Sequence, residues 1–261
     1  MAGGPVRIGV WGAAGRMGIA IAQAIADEPG AELAAAFEHD GHPLLGEQMP
    51  GRHRGVRLQA ASAPAPDFEV LVAFPIPEGL APAIALARQR KIALVVGTTG
   101  YSDEDHRALA AAAEEIPLLV EPNMSLGVVV VNILLQQAVH VLPNWDAEVH
   151  EIHHAEKKDA PSGTAKLLVD SIRDARSKSK VLAGQNLQID PDKIGVTSGR
   201  AGDIVGVHTA LLANRGECIE LTHRAFDRAT FAGGAVFSAV RIARQPAGRY
   251  RLAELLLGGG G

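Results

Sequence analysis

Cysteine is nearly absent. The one present, Cys218, cannot form a disulfide within the chain, and such sparse use fits a reducing compartment, so a cytoplasmic protein is expected. No apolar run reaches the ~20 residues that a membrane-crossing helix needs. The N-terminal MAGGPVRIGVWG has no charged region leading into an apolar stretch and a small-residue cleavage site, so no secretory signal is expected. There is no positive excess either. The formal net charge is −4, which speaks against a general nucleic-acid binder. What is present is a hydrophobic fraction of 47% in 261 residues, enough for one large domain or two modest ones. There are also ten histidines, several in loop-like stretches where solvation is their simplest role.

The first 120 residues alternate strand and helix signals. Strands are expected at Val6–Val10, Glu32–Phe37, Val70–Phe74, Ile92–Val96 and Pro117–Val120, with helices at Gly18–Ala26, Pro82–Gln89 and Asp103–Glu115. This alternation predicts an α/β fold with a parallel sheet covered on both faces. The unbroken apolar strands agree, because central parallel strands are buried on both sides. After Asn123 the pattern changes. Val128–Leu142 reads as a buried helix, and strand-like stretches follow at Ala147–Ile152, Val205–Leu212 and Cys218–Thr222, with a polar linker at Ser177–Gly199. A smaller α+β domain with a largely antiparallel sheet is expected there. Phe231–Ile242 reads as a returning helix, and Gly258–Gly261 as a frayed end. The division is therefore 1–126, 127–227 and 228–261.

Gly12-Ala13-Ala14-Gly15-Arg16-Met17-Gly18 follows the first strand and opens the first helix. Glycines there allow a tight turn and bring backbone close to a pyrophosphate, which then sits on the helix N-terminus. Glu38 stands twenty residues after Gly18, where an acid at the end of the second strand can accept hydrogen bonds from the ribose of NAD. Taken alone, such a turn is weak evidence. Gly97-Thr98-Thr99-Gly100 and Pro122-Asn123-Met124-Ser125 follow later strands, and ligands of open α/β sheets bind beyond such carboxyl ends.

The densest chemistry lies in Glu148–Ala165, EVHEIHHAEKKDAPSGTA. His153, His154, Lys157 and Lys158 precede Pro161-Ser162-Gly163-Thr164, which looks like a helix opening. Its unpaired N–H groups could hold a carboxylate. Three readings compete. In the first, His153 and Lys157 supply protons or stabilise charge on an anionic substrate, which His154, Gly163 and Thr164 grip. In the second, His150-Glu151-Ile152-His153-His154 is the H-E-x-x-H zinc pattern, which requires a helix so that positions i and i+4 face one metal. In the third, the segment is a charged, solvated loop.

GAAGRMG, GTTG, EIHHAEKKDAPSGTA, RAGDIVGVHT and LTHRAFDRATFAGGAV together resemble, in order, the blocks of the dihydrodipicolinate reductase (4-hydroxy-tetrahydrodipicolinate reductase) family of lysine and diaminopimelate biosynthesis. They run from Gly12 to Val236. The resemblance implies a Rossmann-type cofactor domain built from both termini, a central substrate domain and a homotetramer. It implies reduction of a small cyclic dicarboxylate by NADH or NADPH, with no membrane, nucleic-acid or metal partner. His153 and Lys157 become the proton donors, and His154, Gly163, Thr164 and Thr99 contact substrate. Gly12, Ala13, Ala14, Gly15, Arg16, Met17, Glu38, His39, Gly97, Thr98, Thr99, Pro122, Asn123, Met124, Ser125, Arg228 and Phe231 fall at cofactor positions. His39 stands where family members that also accept NADPH place an arginine, so NADH is the expected preference.

The chain departs from the family at Ala73-Phe74-Pro75-Ile76-Pro77-Glu78, where the hydroxyl and carboxylate of a usual Asp-Phe-Thr/Ser are missing. Val207 replaces a frequent glutamate. Two alternatives follow: a zinc hydrolase using His150, Glu151 and His154, and a nucleotide-binding sensor that has kept the fold and lost catalysis.

Overall fold

The computed structural model describes residues 4–53, 55–98, 100–176, 180–183 and 193–258. In chain order the elements begin β1 (Val6–Trp11), α1 (Arg16–Asp27), β2 (Ala31–Glu38), β3 (Leu58–Ala60), β4 (Val70–Ala73), α2 (Leu80–Arg90), β5 (Ala93–Val96), α3 (Asp103–Ala113) and β6 (Pro117–Val120). They continue with α4 (Leu126–Val141), β7 (Asp146–His153), α5 (Gly163–Arg176), β8 (Lys180–Ala183), β9 (Lys193–Arg200), β10 (Gly206–Asn214) and β11 (Glu217–Ala225). Last come α6 (Ala229–Ile242), β12 (Gly248–Tyr250) and α7 (Leu252–Leu257). The chain divides into two compact units, 1–124 with 229–261, and 125–228.

The first unit is a seven-stranded sheet in the order β12-β6-β5-β4-β1-β2-β3, parallel throughout. All four residues of β4 and all four of β5 are buried, as strands between two helical layers must be. The strand order reverses between β1 and β4, the switch point at which open α/β sheets bind ligands. One face packs Leu80, Ala83 and Ile84 of α2 and Leu109 and Ala112 of α3 against Leu71, Leu94 and Leu118. On α6, Gly234 and Ala235 are buried, and an added Cβ on Gly234 would lie 1.6 Å from the Met124 carbonyl oxygen. That helix therefore fits only with a bare backbone at this point.

The second unit carries a five-stranded sheet, β11-β10-β7-β9-β8. It is antiparallel from β11 through β10 to β7 and parallel from β7 through β9 to β8. β8 and most of β9 fall within Ser177–Gly199, so that stretch is not simply a polar linker; its residues 177–179 and 184–192 lie outside the described residues. β9, KIGVTSGR, buries only Ile194 and Val196, and this short alternation is masked by its polar neighbours. Leu135 and Val139 of α4 and Leu168, Val169 and Ile172 of α5 pack on Val149, Val196 and Leu212. The expectation of a buried α4 needs correction. Only Val128, Leu135 and Val139 are buried, while Val130, Leu134 and Val141 are exposed.

Candidate active site

Gly12 follows β1 with φ +73°, a left-handed conformation that favours glycine. Its N–H and that of Ala13 both donate to the Phe37 carbonyl, at 2.9 and 3.1 Å. α1 begins directly after Gly15. A Cβ on Gly18 would lie 2.2 Å from the Gly12 carbonyl oxygen and 2.5 Å from the Ala13 Cα. The turn is thus folded so tightly on its helix that a backbone without a side chain is required. Glu38 is buried, and its Oε1 accepts from the Ala14 N–H at 2.9 Å. This carboxylate is therefore already tied to the turn.

A cavity of about 740 Å³ opens beside the turn, lined by Gly12, Ala14, Gly15, Glu38 and His39, with Trp11, Phe74, Pro75 and Ile76 as apolar walls. Polar backbone with the acids Glu38, Asp40 and Glu78, together with apolar walls, suits a dinucleotide. His39 is exposed, and its ring meets His42 edge-on at 5.2 Å.

The other expected cofactor residues are spread more widely. Ala13 is fully buried, whereas Arg16 is exposed and Met17 half-buried. Thr98 Oγ1 donates to the Pro75 carbonyl at 2.7 Å, joining the loops after β5 and β4. Gly97 leaves room for the Phe74 ring, which a Cβ would meet at 2.1 Å. Pro122 is exposed, Asn123 half-buried and Met124 buried. Ser125 Oγ caps α4 through the Val128 N–H at 3.3 Å and lies 3.0 Å from His223 Nε2. Arg228 is exposed and Phe231 half-buried. Thr99 lies outside the described residues.

The histidine-lysine segment belongs to the second unit. Val149, Glu151 and His153 are buried on β7, and His150 and Ile152 alternate with them on the other face. The H-E-x-x-H stretch is therefore a strand, not a helix. His150 points away from Glu151 and contacts Thr197 Oγ1 at 2.5 Å. The zinc-hydrolase alternative fails on this geometry, because strand positions i and i+4 lie ~13 Å apart.

Glu151 is the centre of what the strand brings together. Its Oε2 lies 2.6 Å from His153 Nδ1. Its Oε1 accepts from the Ser162 N–H at 3.1 Å and from the Arg200 guanidinium at 3.3 and 3.4 Å. Arg200 also donates to the carbonyls of Lys157 at 3.1 Å and Asp159 at 2.5 Å. One guanidinium thus staples the loop that carries Lys157 to the carboxylate behind His153. The Lys157 ammonium pairs with Asp159 at 2.8 Å.

Ser162 Oγ accepts from the Ala165 N–H at 3.2 Å and so caps α5. It also lies 3.2 Å from His208 Nε2. Gly163 opens the helix and is exposed, Thr164 is buried and His154 half-buried. The expected helix opening is present.

Burial is the largest influence on Glu151 and would raise its pKa. The Ser198 and Ser162 hydrogen bonds and the nearby His153 outweigh it and hold the carboxyl below its ordinary value. Burial pushes the His153 imidazole below its ordinary value. Lys157 and Arg200 act in the same direction, and Glu151 opposes them. His208 is pushed down to about 4, chiefly by burial and then by His153. Glu151, His153 and His208 offer ligand atoms within 4.8 Å of one another. However, Arg200 already occupies the carboxylate and Lys157 faces the same histidine, and this cationic surrounding favours proton handling over a metal ion.

What sequence reasoning missed here is Arg200 and His208, together with Glu151 as a partner of His153. Extending the strand-like stretch Ala147–Ile152 by one residue would have put Glu151 beside His153 on one face, since side chains two apart share a face.

Two family models cover most of the chain. The description dihydrodipicolinate reductase, N-terminus, matches residues 6–124, and dihydrodipicolinate reductase, C-terminus, matches residues 127–256. Among solved structures, a dipicolinate-bound dihydrodipicolinate reductase from Paenisporosarcina sp. TG-14 is similar with a TM-score of 0.75 and 23% identity, over 95% of this chain and 97% of that one. A probable dehydrogenase from Thermotoga maritima gives 0.63 and 13%, over 97% and 95%. Aspartate semialdehyde dehydrogenase II from Vibrio cholerae, complexed with ASA, gives 0.55 and 12%, over 97% and 99%. At such identities these likenesses bear on the fold. The two family matches reach further: with a glycine turn in one unit and the His153 segment in the other, the chain belongs to the dihydrodipicolinate reductase family, NAD(P)H-dependent oxidoreductases of lysine and diaminopimelate biosynthesis.

Proposed function

We propose that this chain reduces 4-hydroxy-tetrahydrodipicolinate to tetrahydrodipicolinate, the ring taking up a hydride and a proton and losing its hydroxyl as water, with His153 and Lys157 as the proton-supplying groups and NADH as the preferred cofactor. The observation that carries this reading is the double use of Glu151, which contacts His153 through one oxygen and the Ser162 N–H through the other. An acid group and a helix opening suited to a carboxylate are thereby fixed to each other.

When bound, the nicotinamide would supply hydride. His154, Gly163 and Thr164 hold the substrate carboxylates, and His153 or Lys157 quenches the negative charge that develops toward the ring nitrogen. In this reading residues 1–124 with 229–261 form the dinucleotide-binding domain, and 125–228 form the substrate domain. The glycine turn, Glu38 and the cavity walls fit such a cofactor, and the apolar Phe74-Pro75-Ile76 wall takes the place of the family's polar loop.

The test is loss of NADH absorbance with the cyclic dicarboxylate generated in situ. Loss no faster than a no-enzyme control would overturn the reading. A nicotinamide-binding sensor predicts that outcome.

The cofactor preference rests on Glu38 and His39. The Glu38 carboxylate faces the cavity and repels a 2′-phosphate, and no permanent cation follows it. NADH should be favoured by about tenfold, the effect of ~1.4 kcal/mol. His39→Arg should raise kcat/KM for NADPH and leave NADH nearly unchanged. A wild-type kcat/KM clearly higher with NADPH refutes this.

A homotetramer working in the cytoplasm completes the reading. Family membership supports the assembly, and so does the sheet face opposite α4 and α5, which no described element of its own unit covers. There Ile152 is 39% exposed, and Val207, Thr209 and Leu211 are half-buried. Light scattering should give four times the 27.3 kDa chain mass; a stable active monomer would refute the assembly. The exposed Cys218 suits a reducing compartment.

A further inference from the structure

We infer that Glu151 is a positioning residue of the reaction: it fixes the His153 ring with Nδ1–H on a buried carboxylate, so that Nε2 is the atom that gives up the proton. The inference rests on the reading of His153 as an acid and adds the device that orients it.

Three observations support it. Oε2 of Glu151 and Nδ1 of His153 are 2.6 Å apart and both are buried. At that separation the carboxylate and the ring nitrogen form an ion pair whenever the imidazole is protonated. The second carboxylate oxygen is taken by the Ser162 N–H and by Arg200, and together they prevent the carboxylate from rotating away. A carboxylate with an N–H and a guanidinium on one oxygen stays ionised and accepts from imidazole with the other. Finally, Gly206 lies on the Nε2 side of the ring. A Cβ there would come within 3.1 Å of Nε2 and 3.4 Å of His208 Cε1, so the absence of a side chain keeps that nitrogen clear.

The His208 ring stands edge-on to His153 at 4.9 Å and restrains it from the β10 side. Being held mostly neutral, it adds little repulsion to an imidazolium. The charged and titratable groups facing His153 are Glu151 on its own strand, Lys157 in the following loop, Arg200 on β9 and His208 on β10, with His223 on β11 beyond His208. Glu151 is the one anion that favours the protonated ring.

The test is Glu151→Gln, which keeps the size of the side chain and removes its charge. An acid must be protonated to act, so kcat/KM should fall as pH rises through the His153 titration. Without the carboxylate the imidazolium is less favoured, and that fall should begin about one pH unit lower. kcat should drop at least about tenfold, part of the worth of a positioned acid. NADH affinity should not change, because the glycine turn lies in the other unit. A merely structural role would lower the melting temperature and leave the pH profile in place.

A wild-type pH profile and kcat in Glu151→Gln would overturn the inference while His153→Ala remained impaired. Full activity in His153→Ala would instead overturn the underlying reading. If Glu151→Gln does not fold, ¹⁵N NMR of the wild-type protein decides. The neutral His153 ring should carry its proton on Nδ1, against the ordinary preference of free histidine for Nε2. A proton on Nε2 would sink the proposal.

Discussion

Replacing His153 by Ala, or Lys157 by Met, lowers kcat by about a hundredfold or more and leaves the dissociation constant for NADH nearly unchanged. The size follows from what a positioned proton donor is worth, roughly 10²–10⁴ in rate. The separation from cofactor binding follows from the chain itself: both residues lie in 125–228, and the glycine turn lies in 1–124. The two variants should differ in their side effects. His153→Ala leaves the Glu151 carboxylate facing a hole where a 2.6 Å partner stood, and the melting temperature should fall with the activity. Lys157 is partly exposed and pairs with Asp159 at the surface, so its loss should cost little stability. Steady-state kinetics, NADH titration and thermal melting of both proteins check this. Full activity in both single variants would remove the acid assignment.

Gly234→Ala should cost about 3 kcal/mol of stability or more, while Gly233→Ala, one residue away on the same helix, should be neutral or slightly stabilising. At Gly234 the new Cβ would stand 1.6 Å from the Met124 carbonyl oxygen, whereas at Gly233 nothing lies within 4 Å. Overpacking a core typically costs 1–3 kcal/mol, and here the obstacle is backbone, which cannot rotate aside as a side chain can. At the exposed position alanine simply improves helix propensity by ~1 kcal/mol. Gly18→Ala belongs with the first case, since its Cβ would meet the Gly12 carbonyl at 2.2 Å, and it should also weaken NADH binding by distorting the turn. Differential scanning calorimetry should show melting temperatures lower by roughly 6–12 °C for Gly234→Ala. Equal melting temperatures for the Gly233 and Gly234 variants would refute the packing described for α6.

The parallel sheet was legible because β4 and β5 are short unbroken apolar runs, and only a strand covered on both faces needs that. The glycine turn was legible because strand, turn and helix follow one another within a dozen residues. β9 was not, because its two inward residues, Ile194 and Val196, stand between polar ones in a charged stretch. The long valine run of α4 suggested burial, yet one stripe of it faces outward, and its sequence gives no sign of what should cover it. In the candidate site the histidine and lysine were visible as residue types. Arg200 was not, because a staple between β9 and a loop some forty residues earlier is a product of sheet pairing. The segment around His153 invited two periodicities. Read as a helix, it groups His150 with His154 and suggests a metal; as a strand, it groups Glu151 with His153 and suggests a proton. The pairing of β7 with β9 and β10 decides for the strand.

The chain order of the first unit bears on synthesis. Its sheet takes six of its strands from residues 6–120, but α6 and β12 come only from 229–250. Between them the ribosome must make the whole of 125–228, which takes roughly 5–20 s at ordinary elongation rates. Through that interval the nascent sheet lacks α6, and the apolar surface against which Ala235, Ala239 and Ile242 will bury is left without that cover. The first unit begins first and is completed last. A newly made chain therefore carries this half-built layer while 104 of its 261 residues are being made.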